Sequence, residues 1–364
     1  MNEALPRKYS RTGLLLPFIL VGLALAGWTV WWFWLTAQVE QRLEAQAASL
    51  RQSGWTVTYS DLSTTGWPFR TRVEMREVTI AAPSTHALAS PVLVAEANAY
   101  APNRWVVLAP DGLMLTRAAK GKVALRGDAI RASISGLTQT YPNLAVELAN
   151  PVFTAQPGAE VFPISRANRI EFYLRPHLGP AEGTPVPADA TTRLKPGPDS
   201  VDVLFRLIEA EGRAGGPVQG MARSGKLTAQ IETVIDDAGR LRGADSAGIF
   251  AAWTASGGRF LNTRGEIAAG DSRATLSSDI LSADAEGRLQ GSVALKAERP
   301  LSALSGLAQS GSTAVNPVGA AGAAAASAAQ GVAGGEDAID LTLVFRDGRT
   351  FLGPFALAPA PRLF

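Results

Sequence analysis

Few side chains in this 364-residue chain are placed to do chemistry. It has no cysteine, which removes disulfides, thiolate nucleophiles and cysteine-type zinc sites together. His86 and His177, the two histidines, each lie in a proline-flanked polar stretch without metal-ligand spacing to the other, and both read as surface residues. Ser135-Gly136 and Ser224-Gly225 lack the flanks of a nucleophile elbow, and no Walker or Rossmann glycine pattern occurs. Asp236-Asp237 in DDAGR reads as a hairpin turn, because a calcium loop needs alternating oxygen ligands. No catalytic residue, metal ligand or cofactor is assigned, and a non-enzymatic role is expected.

What remains is Gly66-Trp67-Pro68-Phe69-Arg70, with Arg72 two residues on. In one account this is a tight turn in which glycine takes an unusual backbone angle, proline sets the start of the strand, and Trp67 and Phe69 pack on the core. In the other, the aromatics form the mouth of an apolar ligand site. Arg70, Arg72 and Arg76 share a strand face and suit phosphate headgroups, although Glu74 between them also fits a solvated face. Trp67, Phe69, Arg70 and Arg72 are therefore the candidate ligand-binding residues.

Those residues need elements to hold them. Gly13 to Leu35 carries no charge and is long enough for a hydrocarbon core of about 30 Å, which takes about 20 apolar residues. Arg7, Lys8 and Arg11 precede it against Glu3 alone, so the positive-inside rule places residues 1–12 in the cytoplasm and the remainder across the membrane. Trp28, Trp31, Trp32 and Trp34 gather at the distal end, where indoles suit the interface. A signal peptide cut after Ala24-Leu25-Ala26 is the rival, but the apolar run continues well past it. Residues 36–53 read as a helical stalk ended by Gly54. The net charge of +2 comes from the tail, leaving 31 basic and 31 acidic residues beyond it; this balance lacks the basic stripe of a nucleic-acid binder.

From Trp55 onward, short runs of period-two alternation recur between turn signals such as Pro110-Asp111-Gly112 and Asp347-Gly348. The expected fold is mainly β: an antiparallel meander or curved sheet with a few short helices, preceded by the transmembrane helix. In Phe69 to Ile80 the apolar phase slips at Glu77, which predicts a bulge. Residues 54–310 form the β-rich region, possible as two units divided near 175–200. Short helices are expected at Ser246 to Ser256 and Pro300 to Gln309. Residues 311–335 are low-complexity and read as a flexible insertion, and 336–364 as a C-terminal hairpin completing the sheet.

The anchor, the Gly66-Trp67-Pro68-Phe69-Arg70 element, Phe172-Tyr173-Leu174-Arg175-Pro176 and the hairpin closing in Leu352-Gly353 together resemble the membrane-anchored bacterial family known as domain of unknown function 2125. More distantly, the pattern resembles AsmA-like envelope proteins. The resemblance implies a single-pass bacterial inner-membrane protein with a periplasmic β domain, and for AsmA-like proteins a part in lipid transport or envelope homeostasis. Two roles stay open: a module that binds lipid or acyl chains, and a structural scaffold for another envelope protein. A continuous apolar interior wider than its own side chains fill would separate them.

Overall fold

A computed structural model describes residues 12–179, 195–222, 225–241, 248–270, 272–298 and 339–363. The expected cytoplasmic tail up to residue 11, the Pro300 to Gln309 helix and the 311–335 insertion lie outside them.

Helix α1, Thr12–Gln52, is a single unbroken rod that contains both the apolar run and the stalk. It is long and apolar enough to cross a membrane, and Leu15 to Gly27 are exposed. It stops where Gly54 turns to φ +84° and the Trp55 N–H donates back to the Leu50 carbonyl at 3.0 Å. Its second half runs beside β1 (Thr56–Thr58) and β2 (Asp61–Thr65). Here Arg51 Nε donates to the Val57 carbonyl at 2.9 Å, and the Tyr59 hydroxyl donates to Glu44. The Tyr59 bond and then Arg51 hold the Glu44 carboxyl below its usual range.

β1 and β2 lie end to end along β3 (Arg70–Ala81), which pairs with β4 (Ala87–Asn98). The phase slip in β3 is real, but it is not a bulge. Glu77 takes φ +50° opposite Pro91, while Arg76↔Val92 and Val78↔Ser90 stay in register on either side. Proline offers no N–H there, so β3 kinks at Glu77 without an inserted residue.

At that kink the sheet forks. Ala87–Ala89 pairs with β6 (Leu113–Arg117), and Val94–Ala97 with β5 (Arg104–Leu108). The buried Ser90 hydroxyl sits between the Val92 and Gly112 carbonyls, at 2.8 and 2.9 Å, and ties the fork. One branch continues through β8 (Ala129–Ser135), β9 (Asn143–Ala149) and β12 (Arg169–Pro176). The other runs through β7 (Gly121–Arg126), β10 (Val152–Ala155) and β11 (Ile164–Arg166). Both rejoin on β13 (Val201–Gly212), and Val78, Leu93, Ala109, Leu125 and Ile130 form a buried core at the fork.

Beyond β13 the chain is a plain meander of β14 (Leu227–Ile235), β15 (Phe260–Ala269), β16 (Ser272–Ala283), β17 (Leu289–Glu298), β18 (Ile339–Arg346), β19 (Arg349–Leu352) and β20 (Phe355–Pro359). Every pairing is antiparallel and the 20 strands make one sheet, the mainly β class that the alternation predicts. Two short helices, α2 (Pro217–Ala222) and α3 (Ala251–Ala255), complete the described fold; α3 falls inside the predicted helix 246–256, whose first two residues are outside the described set.

Candidate functional site

Side chains alternate along a strand, so unbroken register aligns one residue per strand into rows across the sheet. One row begins at Val73 and Ala95 and passes through Val107, Ala132, Val146, Phe172 and Phe205. It continues through Ile231, Gly265, Leu276 and Leu295 to Leu341, each directly opposite the last. No residue in the row is polar. Val73 and Ala95 are buried, whereas from Val107 onward every member is partly open.

The rows on either side differ. In β14, Leu227 and Ile235 are buried at the two ends, while Ile231 between them is partly open. In β15, Thr263 and Ala269 flank the partly open Gly265 and Ile267; in β17, Val293 and Ala297 flank Leu295. The apolar face of the meander is therefore a trough with two packed walls and an incompletely covered floor. One wall joins Ala167, Leu207, Ala210, Leu227 and Ala269 to Val218 of α2. The other joins Val201, Ile235 and Ala238 to Trp253 of α3, and farther along Leu281, Val293, Phe345 and Ala360.

The second wall holds a buried carboxylate. Asp236 accepts from Ser200 Oγ at 3.1 Å and the Gly197 N–H at 3.2 Å and pairs with Arg259, while Trp253 Nε1 donates to the Asp236 carbonyl at 2.7 Å. Burial alone would raise this carboxyl; Arg259, Gly197 and Ser200 outweigh it and hold it below the usual range. Asp237 turns at φ +53° at the head of the long connection from β14 to β15, so the pair turns the chain but closes no hairpin, and the Asp236 carboxylate is spent on structure.

The opposite face carries charge. Arg131, Glu147, Glu171, Arg206, Gln230 and Glu266 form one in-register row across β8, β9, β12, β13, β14 and β15. Glu147 and Glu171 face each other, and Arg169 bridges both at 3.4 Å. A depression of about 720 Å³ lies on this face, lined by Tyr173, Leu204, Arg175, His177, Asp202 and Arg264 among others. Burial, then the Glu171 and Glu147 charges, raise the Tyr173 hydroxyl. His177, expected at the surface, is only partly exposed, with Nδ1 2.6 Å from Asp202 Oδ1. The two residues are 25 apart in sequence and meet only through the β12–β13 pairing, a contact that local spacing does not reveal. Among the described residues no group of three or more acidic or histidine side chains is arranged for a metal.

The sequence candidates lie elsewhere, at the β2–β3 turn. Gly66 takes φ +108°, and a Cβ there would stand 2.8 Å from the Arg70 carbonyl, so the turn requires glycine. Trp67 and Phe69 do not pack on the core as the first account expects; they are 49 % and 67 % exposed. The turn is held instead by α1: Trp28 Nε1 donates to the Pro68 carbonyl at 2.7 Å, Trp32 Nε1 to the Arg70 carbonyl at 2.8 Å, and Trp67 Nε1 to Thr29 Oγ1 at 3.2 Å. Arg72 pairs with Glu96 at 2.7 Å, Arg70 reaches the same carboxylate at 3.7 Å, and Arg76 pairs with Glu74 at 2.8 Å. The four candidates share one end of β3, but the arginines meet carboxylates and the aromatics meet the helix.

A family model described as "Uncharacterized protein conserved in bacteria (DUF2125)" matches residues 32–361. No curated protein and no solved structure matches the chain.

Proposed function

We propose a lipid-binding role for this chain, which belongs to the bacterial DUF2125 family of uncharacterised proteins. In this reading α1 anchors it in the inner membrane with residues 1–12 in the cytoplasm, and the β domain lies in the periplasm. The trough then takes acyl chains, without catalysis, in envelope homeostasis. The single observation that carries it is the apolar floor running from Val107 to Leu341, open between packed walls. At about 4.8 Å per strand its ten residues extend roughly 43 Å, against about 15 Å for the chains of one leaflet. The row also starts close to the anchor, since Val73 is three residues, about 10 Å, along β3 from the Arg70 carbonyl that Trp32 holds. Kinship to AsmA-like proteins belongs to the same proposal.

Native mass spectrometry of the detergent-extracted full chain should find co-purified phospholipid. Fluorescent-lipid binding should strengthen with acyl length at about 0.8 kcal/mol per buried methylene, and Ile231→Asp, a charge on the floor, should abolish it. Saturable binding that ignores both chain length and Ile231→Asp would sink the reading.

The second reading, a scaffold for another envelope protein, is supported by the depression beside Tyr173 and Leu204 with its charged rim. It predicts that Arg264→Glu releases a cross-linked protein partner while lipid content stays unchanged.

A further inference from the structure

The exposed aromatics at the foot of the domain lie on two turns bound to one another. The β2–β3 turn presents Trp67 and Phe69, the β4–β5 turn presents Tyr100 at 68 % exposure, and the Ala99 N–H donates to the Phe69 carbonyl at 2.8 Å. Soluble surfaces do scatter single apolar residues, but three large aromatics on adjoining turns form a patch. Its height is set by the helix. Trp67 bonds Thr29, which lies inside the uncharged run, six residues or about 9 Å before its end at Leu35. Trp28, one residue earlier, holds the Pro68 carbonyl. The Trp67 indole N–H is satisfied by Thr29 while about half of the residue stays exposed, and Arg70 and Arg104 stand exposed at the adjoining starts of β3 and β5.

Resting on the reading of α1 as a membrane span, we propose that these two turns are a second membrane contact: Trp67, Phe69 and Tyr100 enter the outer interfacial zone of the bilayer that α1 crosses, with Arg70 and Arg104 at phosphate level. The occupant of the patch is lipid because the patch sits at the depth where the other faces of the adjoining helix, at Val30, Phe33 and Trp34, are themselves bare and apolar. A helix alone leaves a domain free to swing on its stalk. A helix with an inserted foot fixes the domain's tilt and keeps the Val73 end of the trough against the headgroups.

The chain contains no cysteine, so single cysteines label uniquely. The test uses the full chain in phosphatidylcholine vesicles, with an environment-sensitive fluorophore at Leu20→Cys, Phe69→Cys, Tyr100→Cys or Ser84→Cys in turn. Ser84 lies past the far end of the 12-residue β3, about 36 Å from the foot. Lipids carrying a nitroxide near the headgroup should quench the labels at 69 and 100 several-fold more than the label at 84, and a deep nitroxide should quench the label at 20. If 69 and 100 behave like 84 while 20 is quenched, the foot is wrong and the anchor stands. If 20 is not quenched either, the span reading fails and takes the foot with it.

Discussion

The floor and the walls of the trough are made from the same strands, yet they are built to different standards. At the walls, Trp253 is fully buried and hydrogen-bonded, and Asp236 is wrapped by Arg259, Ser200 and a backbone N–H. On the floor, Phe172, Phe205, Ile231 and Leu295 have strand neighbours on both sides but incomplete cover above. A sheet needs its walls to stay folded, whereas an uncovered floor costs apolar exposure, which a bound chain relieves. Substitutions should therefore separate: wall changes act on stability, floor changes on binding.

The largest effect should come from Trp253→Ala, which opens a cavity in the wall and costs about 3–5 kcal/mol of stability, read by urea unfolding. Lipid bound per folded molecule should stay unchanged, and its loss would blur the division. Asp236→Asn comes next, at about 1.5–3 kcal/mol at neutral pH, because it removes charge-assisted bonds. The same carboxyl gives the division a pH signature. Its folded value lies below the unfolded one, so its contribution is fully present above the unfolded value of about 3.9 and is lost as pH falls through the folded one. Acid titration of stability should be shallower in Asp236→Asn than in the parent chain.

The smallest effect belongs to the polar face. Arg169→Ala leaves Glu147 and Glu171 facing each other without their bridge, at a cost of about 1 kcal/mol or less, and the change should leave lipid binding unaltered. Added salt should shrink the cost.

Much of this architecture is legible in the sequence. Period-two runs such as Ile339 to Phe345 locate the longer strands closely, and Gly353 at φ +57° splits the second arm of the predicted 336–364 hairpin into β19 and β20. β1, β10 and β11, with three or four residues each, are too short to show a period, and β2 is four polar residues around Leu62. The fork at Pro91 depends on which halves of β4 are paired, and local patterns do not encode that. The trough is half legible: alternation marks the apolar faces, but its floor and walls differ only by what packs above them. The glycine dependence of the aromatic turn is legible in the sequence, but its exposure is not, because nothing near Trp67 in sequence announces that Trp28, Thr29 and Trp32, nearly 40 residues earlier, hold it from outside.

The most direct test uses two adjacent residues of β13 that point to opposite faces, Phe205 on the floor and Arg206 in the charged row. A photo-reactive benzophenone amino acid at either position, irradiated in membranes holding the full chain, should give lipid adducts at 205 and none above background at 206, as read by mass spectrometry. Equal labelling at both positions, or adducts at 206 alone, would contradict the proposal that acyl chains lie along the apolar floor.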